Sequence, residues 1–299
     1  MSGLSAPLRA SSAPRVRSEA LRRLARNPVA LVSAALIALL VLAAVFAPWL
    51  APHAYDIQDR SYPSLPAAAD AVHPLGTDHL GRDVLSRLLY GARISLSVGI
   101  VVELIEALVG VSLGVLAAYK RGWWDIVLMR VTDAMFAFPD LLFAILLVGI
   151  VRPRSSGASF LVVFMALALV NWPGMARIVR GQALALREKE FVDAARAVGV
   201  NDWGIITRHL LPNMLSPILV ALTVDMANVI LAEATLSFLG IGIQPPYPSW
   251  GRMISDALPY LRSSPLLLVV PALALGLLVL AFNFLGDALR DALDPRLRQ

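Results

Sequence analysis

Cysteine is absent from the 299-residue chain, lysine occurs only at Lys120 and Lys189, and charged residues make up 16% of the whole. The first absence excludes disulfides, thiolate metal sites and a cysteine nucleophile. The scarcity of lysine removes nucleotide chemistry: a P-loop needs a glycine-rich turn ending in Gly-Lys-Ser or Gly-Lys-Thr, and neither YKR nor EKE supplies one. His53, His73, His79 and His209 include no His-x-x-x-His pair, and no G-x-S-x-G elbow occurs, so neither a metal nor a catalytic serine is expected. The shortage of charge is matched by 58% hydrophobic residues and a mean hydropathy of +0.71, too apolar for an ordinary soluble domain. The chain belongs in a bilayer.

Apolar runs long enough to cross a membrane, roughly 20 residues each, divide the sequence. An arginine-rich tail at 1–28 precedes a first span at 29–50, and a polar, proline-rich segment covers 51–90. Further spans are expected at about Ile94–Ala118, Val131–Val151 with a kink at Pro139, Ser159–Ile178 with Asn171 and Pro173 inside, Leu215–Leu239 and Leu266–Leu285. Together they form a core over 91–288, and a tail at 289–299 closes the chain. The proline-rich exit at 47–52 argues for a retained anchor rather than a cleaved signal. Gly110 and Gly114 give the second span a GxxxG spacing, which lets helices approach closely. The basic tail from Val16 to Asn27 suits an amphipathic helix on anionic lipid or a partly disordered segment equally well.

Net charge of +5 and a pI near 10.0 raise the question of nucleic acid. Placement answers it. Eighteen of the 26 lysines and arginines fall in the two tails, around Lys120–Arg130 and in the loop from Arg177 to Arg208, whereas seven fall in the alternate loops. By the positive-inside rule both termini and the 177–212 loop face the cytoplasm, and the basic residues form no single nucleic-acid stripe.

That loop holds a polar island, Glu190–Pro212, which reads as two short helices. Phe191, Ala194, Ala195 and Val198 recur with helical spacing and give one apolar face, with Glu190, Asp193 and Arg196 opposite. Gly199 stands where a left-handed turn ends the first helix, Asn201 or Asp202 can cap a second beginning near Trp203, and Pro212 marks its far end. Held between two spans, the pair makes a short rigid lever; ordinary caps in a membrane-protein loop are the plain alternative.

Polar side chains inside spans are costly and mark functional paths or helix contacts. They are Glu103, Glu106, Asp133, Asp140, Asn171, Asp225, Asn228, Glu233 and Asn283. Asp225, Asn228 and Glu233 are expected on one side of the fifth span, and with Asp140 and Asn171 they are candidates for a translocation path. A membrane-embedded hydrolase using Glu103 with Glu106, or Asp225 with Glu233, is the rival from another class, and a passive channel is a third.

The island resembles the EAA loop of bacterial ATP-binding-cassette (ABC) importer permeases: Asp193-Ala194-Ala195, then Gly199, then His209-Leu210-Leu211-Pro212, with Asp in place of the first Glu and His209 where the pattern has Ile. HPLGTDHLGRDVLSRLLYGARISLSVG at 73–99, RGWWD at 121–125, AFPDLLFAI at 137–145, RHLLPN at 208–213, EATLSFLGIGIQPPYPSWG at 233–251 and AFNFLGDALRDALDPRLR at 281–298 resemble the C-type permease subunit of dipeptide, oligopeptide and nickel importers. The resemblance implies an all-α, multi-pass protein of the bacterial inner membrane with six transmembrane helices, the type I (MetI-like) permease fold and cytoplasmic termini. It implies a homologous second permease as heterodimer partner, an extracytoplasmic binding protein, and two ABC ATPases that bind ATP and Mg²⁺, with no cofactor and no catalysis in this chain. Asp193, Ala194, Ala195, Gly199, Asn201, Asp202 and Pro212 are the implied ATPase-coupling residues. Dipeptides or oligopeptides are the implied cargo, with nickel or another small solute as the alternative. The proline-rich stretch at about 240–264 is expected to be a docking or gating surface, or a stiff connector.

Overall fold

The computed structural model describes residues 22–59, 61, 69–151 and 155–293. Residues 1–21, with the first half of the proposed tail helix, and residues 60, 62–68, 152–154 and 294–299 lie outside them. The described residues form helices α1 (Pro28–Val45), α2 (Ala47–Leu50), α3 (Val84–Lys120), α4 (Gly122–Phe136), α5 (Asp140–Val151), α6 (Ser156–Arg187), α7 (Glu190–Ala197), α8 (Asp202–Ile205), α9 (Leu211–Phe238), α10 (Trp250–Ala257) and α11 (Leu266–Leu293), with a π-helical turn at Ile206–Leu210. The second, fourth, fifth and sixth expected spans are present but longer, because turns at one or both ends continue the same helices, whereas the first is divided at Phe46 into α1 and α2. Helix α3 runs from Asp83, whose carboxylate accepts the Ser86 N–H at 2.7 Å, through 37 residues to Arg121.

Five of these are long and apolar enough to cross a membrane: α1, α3, α6, the continuous run Asp202–Phe238, and α11. The expected third span is not one kinked helix. Helices α4 and α5 meet at 87° beside Pro139, and the pair supplies a sixth crossing only if both halves are counted together. Pro139 has no N–H to continue the ladder, so the chain breaks rather than bends. At a rise of 1.5 Å per residue, α5 is about 18 Å long, too short to cross a hydrocarbon core of about 30 Å.

Close packing follows the glycine spacing. A Cβ built on Gly110 would lie 2.6 Å from Met175 Cβ, and one on Gly114 would lie 2.6 Å from the Ala176 carbonyl oxygen. Bare backbone at these two positions therefore sets the approach of α3 to α6.

The two ends of the bundle are tied differently. At the Asp83 end, Arg82 and Arg87 are buried against Asp78, at 2.7 and 3.4 Å, and Arg252 pairs with Asp256 at 2.9 Å. Trp250 Nε1 donates to the Leu88 carbonyl at 3.0 Å, which fastens α10 across α3. Stretch 240–264 is thus a folded cap rather than a bare connector. At the Lys120 end, charged side chains join helices: Arg180 makes two bonds to Asp125, Arg177 pairs with Asp133, and Arg121 pairs with Glu188.

Candidate functional site

Glu190–Pro212 folds as a helix, a glycine turn and a second helix at the Lys120 end. Helix α7 ends in a Schellman turn: the Gly199 N–H donates to Arg196 O at 2.9 Å and the Val200 N–H to Ala195 O at 3.0 Å. Gly199 sits at φ +81°, and nothing lies within 4 Å of a Cβ built there, so backbone conformation and not space demands glycine. Asn201, not Asp202, caps α8: its Oδ1 accepts the Gly204 N–H at 2.8 Å, a bond that stabilises a helix start by about 1 kcal/mol. Asp202 instead accepts from the Tyr119 hydroxyl at 2.6 Å.

Two expectations need correction. Pro212 does not end the second helix; it lies in the first turn of α9, directly after the π-helical turn. There the Leu211 N–H bonds to Ile206 O, one residue further back than in an α-helix, and this widened turn takes up a proline with no N–H to give. The lever therefore runs into α9 without a joint.

The single apolar face expected on α7 is also divided between the bundle and the outside. Val192 and Ala195 are the residues buried within the chain, against Val115, Val179, Ile205 and Met214. Of the anticipated apolar face, Ala195 alone turns inward, while Phe191 and Ala194 are exposed and Val198 is 79% exposed. Trp203 adds a 72% exposed indole from α8, and His209 lies 6.4 Å from Phe191, ring to ring. Asp193 is exposed and pairs with Arg196 at 3.0 Å. The island is thus clamped to the bundle on one side and presents Phe191, Val198 and Trp203 on the other.

The intramembrane candidates do not share one environment. Glu233 is fully buried and accepts from Ser95 Oγ at 3.0 Å and Ser237 Oγ at 2.7 Å; Ser237 in turn accepts the Ile243 N–H, so this carboxyl anchors the stretch leading to α10. Asn228 is exposed and donates to Asp225 at 3.0 Å. At 100° per residue, Asn228 lies about 60° to one side of Asp225 and Glu233 about 80° to the other, which is why the three separate. Asp140 is exposed in the first turn of α5, and Asn171 donates to its own helix at Leu167 O.

Asp225 is joined instead by Glu103 and Glu106 of α3: one oxygen from each of the three lies within 4.8 Å of the others. The hydrolase pairings paired Glu103 with Glu106 correctly but Asp225 with the wrong partner. A second group, His53, His73 and Asp83, meets the same spacing near the start of α3, where Asp83 bonds His73 Nδ1 at 2.9 Å while capping the helix.

Known proteins resolve what this arrangement belongs to. The family described as binding-protein-dependent transport system inner membrane component matches residues 110–299, and the N-terminal TM domain of oligopeptide transport permease C matches residues 17–67. The chain is a member of this ABC importer permease family. The glutathione transport system permease protein GsiD of Escherichia coli O6:K15:H31 is 43% identical over 278 residues, 93% of this chain and 89% of the relative. GsiD of Pectobacterium atrosepticum is 42% identical over the same length, 93% and 90% of the two chains. An inward-facing structure of the MetNI methionine ABC transporter superposes with a TM-score of 0.56 at 20% identity, covering 69% of this permease and 95% of that chain. The permease is a multi-pass inner-membrane component of a transport system.

Proposed function

We propose that this permease forms half of the translocation path of an importer for short peptides, with a homologous second permease beside it, two ABC ATPases below and an extracytoplasmic binding protein above. Both termini and the 190–212 island face the cytoplasm, as the distribution of arginine supports. ATP and Mg²⁺ are held by the ATPases. Glutathione is the first cargo to test, since the relatives named for glutathione transport cover nearly the whole chain.

The observation that carries this reading is the outward apolar face of the island. Exposed Phe191, Val198 and Trp203 on two short helices would be a liability in water, and a groove on an ATPase would remove them from it. Val192, Ala195 and Ile205 hold the other side rigidly, and the π-helical turn continues the second helix into α9. Closure of the ATPases would displace the island, and α9 with it, exchanging inward-open for outward-open packing.

Reconstitution tests the whole proposal. In vesicles, this permease with its sister permease and ATPases should take up labelled glutathione only with ATP and loaded binding protein, whereas the purified chain alone should turn over no ATP. ATP turnover by the isolated chain, or uptake independent of ATP, would refute it.

A further inference from the structure

The transport role leaves one buried group without a task. Glu103 and Glu106 stand at the middle of α3, and Asp225 at the middle of α9, so the trio lies halfway along two of the longest helices. At 1.5 Å per residue, Arg93 and Lys120 on α3 are about 15 Å and about 21 Å from the nearer glutamate, and Arg208 is about 25 Å along the chain from Asp225. Among the described residues, no lysine, arginine or histidine forms an ion pair with any of the three. Glu103 is 5% exposed and Glu106 2% exposed. Both carboxyl oxygens of Glu103 and Oε2 of Glu106 are buried without a hydrogen-bond partner.

Three carboxylates cannot remain ionised side by side at membrane depth without a compensating positive charge. A proton shared between Glu106 and Asp225 would serve that pair, yet both oxygens of Glu103 would still be buried without a partner. A cation satisfies the oxygens directly. Oxygens from three carboxylates, with a half-buried aspartate as the way in, are the donor set of a hard divalent ion rather than of zinc or copper.

We propose that Glu103, Glu106 and Asp225 bind one divalent, oxygen-preferring metal ion at the middle of the membrane. The ion would bridge α3, fixed against α6 through Gly110 and Gly114, to α9, which the coupling island extends. It would thus hold the moving helix against the static one. The site is independent of cargo, and uptake is assayed separately, so its failure would leave the transport reading standing.

The test uses the complete, nucleotide-free transporter in lipid nanodiscs, stripped with chelator and titrated with Mn²⁺ while free Mn²⁺ is followed by electron paramagnetic resonance. Wild type should bind one Mn²⁺ per copy of this chain, E103Q/E106Q should lose it, and D225N should bind roughly tenfold more weakly, as fewer charged ligands hold the ion. D133N, which removes the partner of Arg177 and leaves the trio intact, should bind as wild type does. Absence of binding by wild type, or equal binding by wild type and E103Q/E106Q, overturns the proposal and leaves the trio to protons. Size-exclusion profiles verify assembly, and if the double variant does not assemble, E106Q and D225N decide in its place.

Discussion

The hydroxyl of Tyr119, in the last turn of α3, donates to the carboxylate of Asp202, at the first residue of α8, across 2.6 Å and 83 positions of sequence. Arg187 reinforces the joint, donating to the Ala118 and Tyr119 carbonyls at 3.1 and 2.6 Å while stacking over the Tyr119 ring. The 190–212 island is therefore fixed to α3 as well as to its own flanking helices. Tyr119→Phe keeps the ring and removes the bond. A partly exposed hydrogen bond of this kind contributes about 1 kcal/mol, so expression and melting should change little. Coupling should loosen: ATP hydrolysis should continue with a weaker response to loaded binding protein. The ratio of stimulated to basal turnover measures this.

Gly199 offers a cleaner separation of conformation from contact. Its φ of +81° costs an ordinary L-residue roughly 1–2 kcal/mol, while a new side chain would meet no neighbour. Gly199→Val should yield an assembled transporter with uptake lost. Gly199→Asn should retain much of it, because asparagine enters the left-handed region readily. Uptake rates of the two variants in matched vesicles check the order; a Val variant as active as wild type would make this turn a mere connector.

These features differ in how far the sequence exposes them. Gly199 announces a turn, and the Asn201–Asp202 pair a cap without saying which of the two makes it, because local backbone chemistry allows few residues at either position. A close helix approach is equally legible in Gly110 and Gly114, but not that α6 is the helix that approaches. Periodicity, by contrast, identifies an apolar stripe on α7 but cannot say whether the stripe faces its own chain or a partner; Phe191 and Val198 are on the outside for that reason. Pro139 and Pro212 carry the same missing N–H, yet one breaks a span and the other is absorbed by a π-helical turn, a difference that the missing N–H alone does not encode. The meeting of Glu103 and Glu106 with Asp225 depends on the docking of two helices more than a hundred residues apart, which no local pattern encodes.

Orientation is open to a direct check because the chain has no cysteine to label in the background. Ser263 and Asp291 are exposed near opposite ends of α11. In cells with a permeabilised outer envelope, Ser263→Cys should react with an impermeant maleimide, and Asp291→Cys should react only after the inner membrane is opened. The reverse pattern would invert the topology.

The claim on which the account rests is that the outward face of the 190–212 island seats the ATPases. Val198→Asp combined with Trp203→Ala places a charge in that face and removes its largest apolar group, without touching Val192, Ala195 or the Tyr119–Asp202 bond. The variant should insert and pair with its sister permease normally. The decisive quantity is the amount of ATPase that co-purifies with the tagged permease pair: the account predicts that it falls to a small fraction of the wild-type amount, and a full wild-type complement of ATPase on the double variant would contradict it.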